Sequence, residues 1–310
     1  MTTLNNRKLT IVLVALVVVY LGVRMVRVPQ REGTLAIALV DIDTASVSEI
    51  KLYPRAANGS ELVFTRSAGG WQVAHDGVTA SADSNAVKGL LASFLALEGN
   101  RVVTEQAAKW DEYKVGDTTG THVVVLGKND DTLGEWWVGE APGQGSVYGG
   151  GQSYVRKAND DKVYSVDGYL YSQYNKGFAS WRNQSFLRLA ESSIAGATAS
   201  GIRSWRLERD STVWLVDGEK VDSAAVARYI RRFASMNFAE FADGFVADKP
   251  ADALLTIHGA QGDLASIQAW RTSDSTWTVQ SSYRPEVYFK VDDEKFDAEI
   301  VPTVSAWSEN

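Results

Sequence analysis

The residues that could carry chemistry are few and scattered along this 310-residue chain. The three histidines, His75, His122 and His258, have no metal-ligand spacing and form no H-E-x-x-H pattern. The absence of cysteine excludes disulfides, thiolate metal sites and a lipidated cysteine anchor. No G-x-S-x-G elbow marks a hydrolase serine, although a Ser/His/Asp set assembled from distant residues stays open. We expect polar histidines at strand ends and in a turn, no metal, no cofactor and no enzymatic activity.

A glycine-rich stretch between Gly139 and Gly151 is the one candidate for a phosphate loop. It lacks a Gly-Lys-Ser/Thr ending and G-x-G-x-x-G spacing, and it lies between two strand patterns instead of before a helix. We interpret it as an exposed hairpin loop, with a contact loop for a partner as the alternative. Carboxylate runs such as Asp292-Asp293-Glu294 match no calcium loop and favour solvated turns, with weak cation binding as the alternative.

Aromatic residues are the other candidate for binding, since the chain has ten tryptophans. Trp136 and Trp137 are adjacent, so on a strand they point to opposite faces. Together with Tyr148 and Tyr154, one of them could form an aromatic platform for a sugar or a partner protein. These four residues are therefore the candidate partner or ligand surface, and packing in the core or at a sheet edge is the alternative.

The elements that would position these residues follow a pattern that occurs twice. Each copy has two strand patterns, the second of which contains Trp71 or Trp214. Asp83 and Asp222 then act as N-caps for a helix whose apolar residues recur at i, i+3, i+4 and i+7. Strand patterns follow in both copies. The sequence predicts an α+β fold of two tandem repeats, each a mainly antiparallel sheet with one long helix packed on it. Chance resemblance of two strand-helix units is the alternative.

Four segments follow from this pattern. We expect a membrane anchor at 1–31, a first repeat at 32–168, a linker or crossover at 169–200 and a second repeat at 201–310. Small residues at 195–201 suggest that the end of the linker is flexible.

The N-terminal anchor is the most hydrophobic part of the chain. Its apolar run, residues 9–26, would span roughly 27 Å as a helix of 18 residues, against about 30 Å of hydrocarbon, and Arg24 can snorkel to the headgroups. A cleaved signal peptide is the alternative, but the run is long for one, and Arg24 and Arg27 stand where small residues of a cleavage site belong. The expected anchor residues are Leu9, Ile11, Val14, Leu16, Val18, Leu21 and Val26.

Charge indicates where the rest of the chain resides. Five of the 31 basic residues precede Glu32, and all 38 acidic residues lie from Glu32 onward, which leaves this body with a net charge of about −12. An acidic body repels phosphate, so nucleic acid is a poor partner. The basic residues on the two sides of the anchor are nearly balanced, so they do not fix its orientation. A short anchor before a large, cysteine-free domain fits a single-pass protein of the bacterial inner membrane, with its bulk in the periplasm.

Several short motifs resemble a bacterial family known as domain-of-unknown-function family 4340. They include Val47-Ser-Glu-Ile-Lys-Leu, Gly70-Trp71, Tyr113-Lys-Val, Val163-Tyr-Ser-Val-Asp and Trp181-Arg. The resemblance covers most of the chain after the anchor, although Asn183 stands where members often have Asp. Members look like anchored envelope proteins, often encoded beside an ABC-2-type permease and a gliding-motility-type auxiliary subunit. The resemblance implies an accessory subunit of an ABC transporter system and supplies no catalytic residues.

Three functional hypotheses follow. The leading one is a non-enzymatic, membrane-anchored periplasmic accessory subunit of an ABC-type transporter complex, acting by protein-protein interaction. Its partners would be the ABC-2-type permease, the gliding-motility-type auxiliary subunit with its ATPase, and membrane lipid. The second is an envelope glycan- or lipid-binding module that uses the aromatic and glycine-rich region 136–154. The third is an unrecognised hydrolase.

Overall fold

The computed structural model describes residues 37–140 and 151–308. In this part of the chain, the first ten strands form one antiparallel sheet in the order β1-β6-β10-β9-β8-β7-β2-β3-β4-β5. Alternating side chains divide the sheet into two faces; Ile50 and Leu52 are fully buried on the inner face. The strands are β1 (Ile37–Ala38), β2 (Glu49–Tyr53), β3 (Leu62–Ser67), β4 (Gly70–His75), β5 (Val78–Ser81), β6 (Glu98–Thr104), β7 (Thr121–Leu126), β8 (Thr132–Glu140), β9 (Gln152–Lys157) and β10 (Val163–Asp167).

The second half of the chain forms an eight-stranded antiparallel sheet and a two-stranded ribbon. The larger sheet has the order β15-β14-β13-β12-β17-β18-β19-β20, and β11 pairs with β16 in the ribbon. The strands are β11 (Ser185–Leu187), β12 (Ile194–Gly201), β13 (Trp205–Asp210), β14 (Val213–Val216), β15 (Glu219–Lys220), β16 (Met236–Asn237), β17 (Ala253–Gly259), β18 (Gly262–Ser273), β19 (Thr276–Ser281) and β20 (Phe289–Asp292).

The two large sheets have the same topology. The first runs β5-β4-β3-β2-β7-β8-β9-β10 from one edge, and the second runs β15-β14-β13-β12-β17-β18-β19-β20. The difference lies after the helix of each repeat, because β6 joins the edge of the first sheet whereas β16 pairs with β11. A shared order of eight strands supports the duplication that the sequence pattern predicted.

Helices are few and short in the described residues, so the fold is mostly antiparallel sheet with an α+β character. They are α1 (Ser84–Leu95), α2 (Leu170–Tyr174), α3 (Ser223–Arg232) and α4 (Asp293–Lys295), with a π-helical turn after α4. The two predicted caps are present: the Asp83 carboxylate accepts the Ala86 N–H at 2.7 Å, and Asp222 accepts the Ala224 N–H at 2.8 Å. Each satisfies one of the free N–H groups at a helix start. The apolar side of α1 and of α3 packs on the inner face of its sheet.

Each repeat is closed by a 3₁₀ turn that ends in a buried tryptophan. The turns end at Trp181 and Trp307, whose side chains are at most 2% exposed. The Trp181 carbonyl accepts the backbone N–H of Asp83 at 2.8 Å, and the Trp307 carbonyl accepts that of Asp222 at 2.9 Å. The end of each repeat therefore returns to the start of its own main helix.

The boundary between the repeats differs from the predicted linker at 169–200. Helix α2 and Trp181 belong to the core of the first repeat, and β12 lies in the middle of the second sheet. The prediction of a flexible segment at 195–201 is therefore wrong. Small residues serve close packing here, because a Cβ on Gly196 would lie 2.5 Å from the Leu207 carbonyl oxygen.

The repeats meet at Arg182, whose side chain is 5% exposed. Its guanidinium donates two hydrogen bonds to Asp243, at 2.6 and 2.9 Å, and lies 3.5 Å from the ring centre of Phe241. Beside it, Arg284 donates to the Asn183 carbonyl at 2.7 Å. These contacts border a cavity of about 370 Å³ between strand β5 and the second repeat.

The predicted anchor at 1–31 lies outside the described residues. Within 37–140 and 151–308, none of the helices combines the length and hydrophobicity that a bilayer crossing requires.

Candidate interaction surface on the first sheet

The outer face of the first sheet, which points away from α1, carries a row of side chains across four strands. Tyr53 on β2 lies directly opposite His122 on β7, His122 opposite Trp137 on β8, and Trp137 opposite Arg156 on β9. Direct cross-strand partners have Cβ atoms about 4.5–5.5 Å apart, so planar groups at these positions can stack. The register alone therefore brings four residues from distant parts of the sequence into contact.

The planar groups in this row do stack on one another. The ring centres of Tyr53 and His122 are 5.1 Å apart at 21°, and those of His122 and Trp137 are 4.3 Å apart at 9°. The Arg156 guanidinium lies 3.9 Å from the ring centre of Trp137 and 3.9 Å from that of Trp110. We call these five residues the aromatic ladder. A desolvated guanidinium between two indole rings is a favourable cation–π arrangement.

One end of the aromatic ladder is buried. The Arg156 side chain is 5% exposed, donates from Nε to the Val115 carbonyl at 2.9 Å and pairs with Asp117 at 2.6 Å. The chain between β6 and β7 covers this end and forms a small second core, in which Val115 packs with Tyr154 and Val163. Arg156 thus fixes a loop to the sheet and holds the indole of Trp137 in place.

The other end of the aromatic ladder is open. His122 shares a hydrogen bond with Glu135 at 2.8 Å, and the Tyr53 hydroxyl donates to Glu61 at 2.6 Å. Partial burial and the Glu61 carboxylate together raise the pKa of Tyr53 far above its usual value, so the hydroxyl remains a neutral donor.

Charges around the open end are mainly negative. Lys51 lies 3.5 Å from Glu49 and 4.0 Å from Glu61, while Glu135 lies at His122. The side chains of Lys51 and these three carboxylates are between 27 and 44% exposed, so they can still bind groups from outside. A partner that offers cationic or hydrogen-bond donor groups would complement this end.

The four residues of the predicted surface have different locations. Trp136 is fully buried against Phe94, with ring centres 5.2 Å apart, because it alternates with Trp137 along β8. Tyr154 is 8% exposed and packs on Tyr113 at 4.7 Å. Neither offers exposed contact area, which corrects the prediction for both. Tyr148 lies outside the described residues. Among the described three, Trp137 alone belongs to the outer-face row.

The other members of the aromatic ladder were not singled out as a site by the sequence. Nothing in the sequence marks Tyr53, Trp110 or Arg156 as site residues, and His122 was predicted only as a polar histidine at a strand end. Tyr53, His122 and Arg156 share a cross-strand row, which depends on which strands are neighbours, and Trp110 joins it from the segment between β6 and β7. The sequence did contain one signal: His122 alternates with the buried Val123, and Trp137 alternates with the buried Trp136, which places His122 and Trp137 on the outer face. The strand order was still needed to show that the two residues are neighbours.

A second arrangement resembles a hydrolase relay in part. On the outer face of the second sheet, His258 bonds to Thr198 at 2.8 Å and to Asp263 at 2.6 Å. A nucleophile also needs free N–H donors for the developing oxyanion. Thr198 lies within β12, which is paired with β13 on one side and β17 on the other. The backbone around Thr198 is thus committed to the sheet, and the arrangement gives little support to hydrolysis.

Metal ligation has no support in the described part of the chain, where no group of three or more His, Asp or Glu side chains could hold an ion. His75 bonds to the Glu61 carbonyl at 3.0 Å and lies 3.3 Å from Asp76. Each of the three histidines therefore has local protein partners.

Comparison with protein families identifies the family of this chain. The family model described as Domain of unknown function (DUF4340) matches residues 71–256, which extend from β4 in the first repeat to β17 in the second. The chain therefore belongs to this family, as its short motifs predicted. No curated protein and no solved structure matches the chain.

Proposed function

We propose that this protein is a membrane-anchored, non-enzymatic accessory subunit of an ABC-type transporter complex, with its bulk in the bacterial periplasm. It would act by protein-protein interaction with an ABC-2-type permease and a gliding-motility-type auxiliary subunit and its ATPase. Family membership and the apolar run near the N-terminus support this assignment. The aromatic ladder supplies a surface on which a partner could dock.

One observation carries the proposal: the ladder is present in one of two repeats with the same topology. The matching cross-strand row in the second sheet is Ser200, Leu254, Gln268 and Gln280. This sheet forms with the same strand order although none of these four positions carries a ring, so the fold itself does not require stacked rings there. A feature that the fold does not require, at an exposed face, is a candidate for recognition.

The occupant that fits this face best is the soluble domain of the auxiliary subunit. The Tyr53 hydroxyl and the His122 ring lie beside partly exposed carboxylates, an arrangement that suits a protein surface with cationic side chains at its rim. Aromatic residues held rigidly also lose little entropy on binding.

The glycan- or lipid-binding alternative gains less from this geometry. Sugars stack on an exposed aromatic face, whereas His122 and Arg156 cover the two faces of the Trp137 ring. The neighbouring glycine-rich segment 141–150, which belonged to that hypothesis and was predicted to be an exposed hairpin loop, lies outside the described residues.

Co-purification tests the proposal. The full-length chain, tagged at its C-terminus, is isolated from native membranes in mild detergent, and bound proteins are identified by mass spectrometry. We compare the wild type with Tyr53→Ala/His122→Ala and with the matched second-sheet variant Ser200→Ala/Leu254→Ala. The permease, its ATPase and the auxiliary subunit should accompany the wild type and the matched variant.

For the first-sheet variant, recovery should fall at least about thirtyfold if the two side chains form a hot spot worth about 2 kcal/mol. Near-ultraviolet circular dichroism would check that both variants fold. A wild-type chain that migrates alone under these conditions would contradict the proposal. Equal recovery of the partners with the wild type, the first-sheet variant and the matched variant would also contradict it.

A further inference from the structure

A basic groove lies on the second repeat, on an otherwise acidic body. Helix α3 buries Val226, Tyr229 and Ile230 against its sheet and directs arginines outward. In the described part of the chain, the groove is lined by four basic residues and one acidic residue, Glu299, and its volume is about 540 Å³. The basic residues, which we call the arginine groove, are Arg228, Arg231, Arg232 and Lys295.

The arginine groove is not needed for helix formation. Cations in a last turn stabilise the helix dipole, and α3 ends with Arg231 and Arg232. Its counterpart α1 has no basic residue in its last turn, and Leu95 there is 65% exposed. Since α1 occupies the same place in an equivalent repeat, the fold tolerates a last helical turn without basic residues.

Neighbouring carboxylates neutralise the arginine groove only weakly. Arg228 lies 3.9 Å from Asp222 and Arg231 lies 3.8 Å from Glu191, with arginine side chains 67 and 70% exposed. Exposed pairs of this kind contribute little and are easily exchanged. Arg232 differs, because it donates to the Ala298 carbonyl and so has a structural role. Arg228 and Arg231 therefore remain able to bind an external anion.

We propose that the arginine groove binds the anionic phospholipid headgroups of the membrane that holds the chain. The inference rests on the anchor in the proposed function. The apolar run ends at Val26 and the first strand begins at Ile37, so residues 27–36 can span at most about 36 Å. A body restricted to this distance meets headgroup phosphate at a high effective concentration. Its net negative charge would oppose approach everywhere except at a local basic surface.

The test uses the absence of native cysteine in the full chain. Ser235→Cys places a fluorophore at the groove, and Ser67→Cys places one on the first repeat as a reporter control. The labelled protein is reconstituted into vesicles of phosphatidylcholine alone or of phosphatidylcholine mixed with phosphatidylglycerol. A headgroup-linked quencher in the bilayer then reports how often each label lies at the surface.

Phosphatidylglycerol should increase quenching at position 235 and leave position 67 unchanged, and added salt should reverse the increase. Arg228→Gln/Arg231→Gln should reduce the ratio of docked to free body about thirtyfold, since the attraction of each arginine to an anionic surface changes this ratio roughly fivefold. The charge-matched control Lys88→Gln/Lys128→Gln should retain the effect, since both lysines are exposed elsewhere on the chain.

Equal quenching at position 235 in both lipid mixtures would overturn the inference and would favour an acidic protein as the occupant. Failure of the anchor gives a different result, because the chain would then leave phosphatidylcholine vesicles during an alkaline wash. In that case, co-flotation of wild type and Arg228→Gln/Arg231→Gln with phosphatidylglycerol vesicles still decides the role of the arginine groove. Binding by the wild type alone supports it, and equal behaviour of the two overturns it.

Discussion

The outer face of the first sheet carries stacked rings and a buried arginine, whereas the same positions in the second sheet carry serine, leucine and two glutamines. Strand order, helix caps and the closing tryptophans are shared by the two repeats. This difference teaches that the inner face and the end contacts define the fold, while the outer face can be exchanged without changing it. Outer-face differences are therefore the place to look for function.

The main helices, on the other side of each sheet, also share a buried face and differ on their exposed face. Both α1 and α3 bury an apolar stripe, but α3 is basic on its outer side and α1 ends with an exposed leucine. In our account, the first repeat binds a protein through its sheet and the second binds the membrane through its helix.

The largest expected effect tests whether the closing tryptophans are equivalent. Trp181→Ala and Trp307→Ala each remove a fully buried indole, so each should lower the free energy of unfolding by about 3–5 kcal/mol. Urea unfolding followed by circular dichroism measures both. A loss of unfolding free energy below about 1 kcal/mol for one variant would show that the two turns do not stabilise their repeats equally.

The next effect separates the two outer faces. Arg156→Met leaves the Val115 carbonyl without its buried donor and removes the cation from between two indoles, which should cost about 2 kcal/mol. The matched change Gln280→Met, at the same register position of the second sheet, should cost less than about 1 kcal/mol. Urea unfolding of the two variants measures these costs, and equal costs would mean that the aromatic ladder adds no stability.

The helix caps should behave alike. Asp83→Ala and Asp222→Ala each remove one side-chain acceptor from a helix start, so each should lower stability by about 1 kcal/mol. The double variant should show the sum, because the caps belong to separate cores. Thermal unfolding of the three variants measures this, and strong non-additivity would indicate that the repeats are energetically coupled.

The smallest effect concerns Asp252, whose equivalent position before β7 is Gly120. The Arg271 N–H and the Lys249 ammonium hold the pKa of Asp252 below its usual value. The folded state therefore prefers the carboxylate, and the resulting stability is present above the ordinary carboxyl pKa and lost as pH falls through the lowered one. Asp252→Asn should cost under about 1 kcal/mol at neutral pH, since the side chain is a third exposed.

Unfolding measured across the acid range checks this prediction. The difference between Asp252→Asn and the wild type should shrink as the pH falls below the usual carboxyl range. A constant difference at every pH would show that the lost contribution is not electrostatic.

The sequence predicted features that depend on local pattern. Both aspartate caps and the opposite directions of Trp136 and Trp137 follow from spacing along the chain, and the structure confirms them. The duplication also follows from spacing, and the shared order of eight strands supports it. The aromatic ladder could not be found this way, because only the order of four strands places Tyr53 and Arg156 in the same row. The closing turns can be recognised in the sequence, since Phe178-Ala-Ser-Trp resembles Val304-Ser-Ala-Trp. The hydrogen bond from each turn to the capping aspartate of a helix is visible only in the structure.

Site-specific photo-crosslinking in intact cells tests the central claim most directly. A photoreactive amino acid replaces Tyr53 or His122 in the first sheet, and Ser200 or Leu254 at the matched positions of the second sheet. Our account predicts adducts with the auxiliary subunit from the first pair and none from the second. Adducts of equal yield from both pairs, or adducts from the second pair alone, would contradict it.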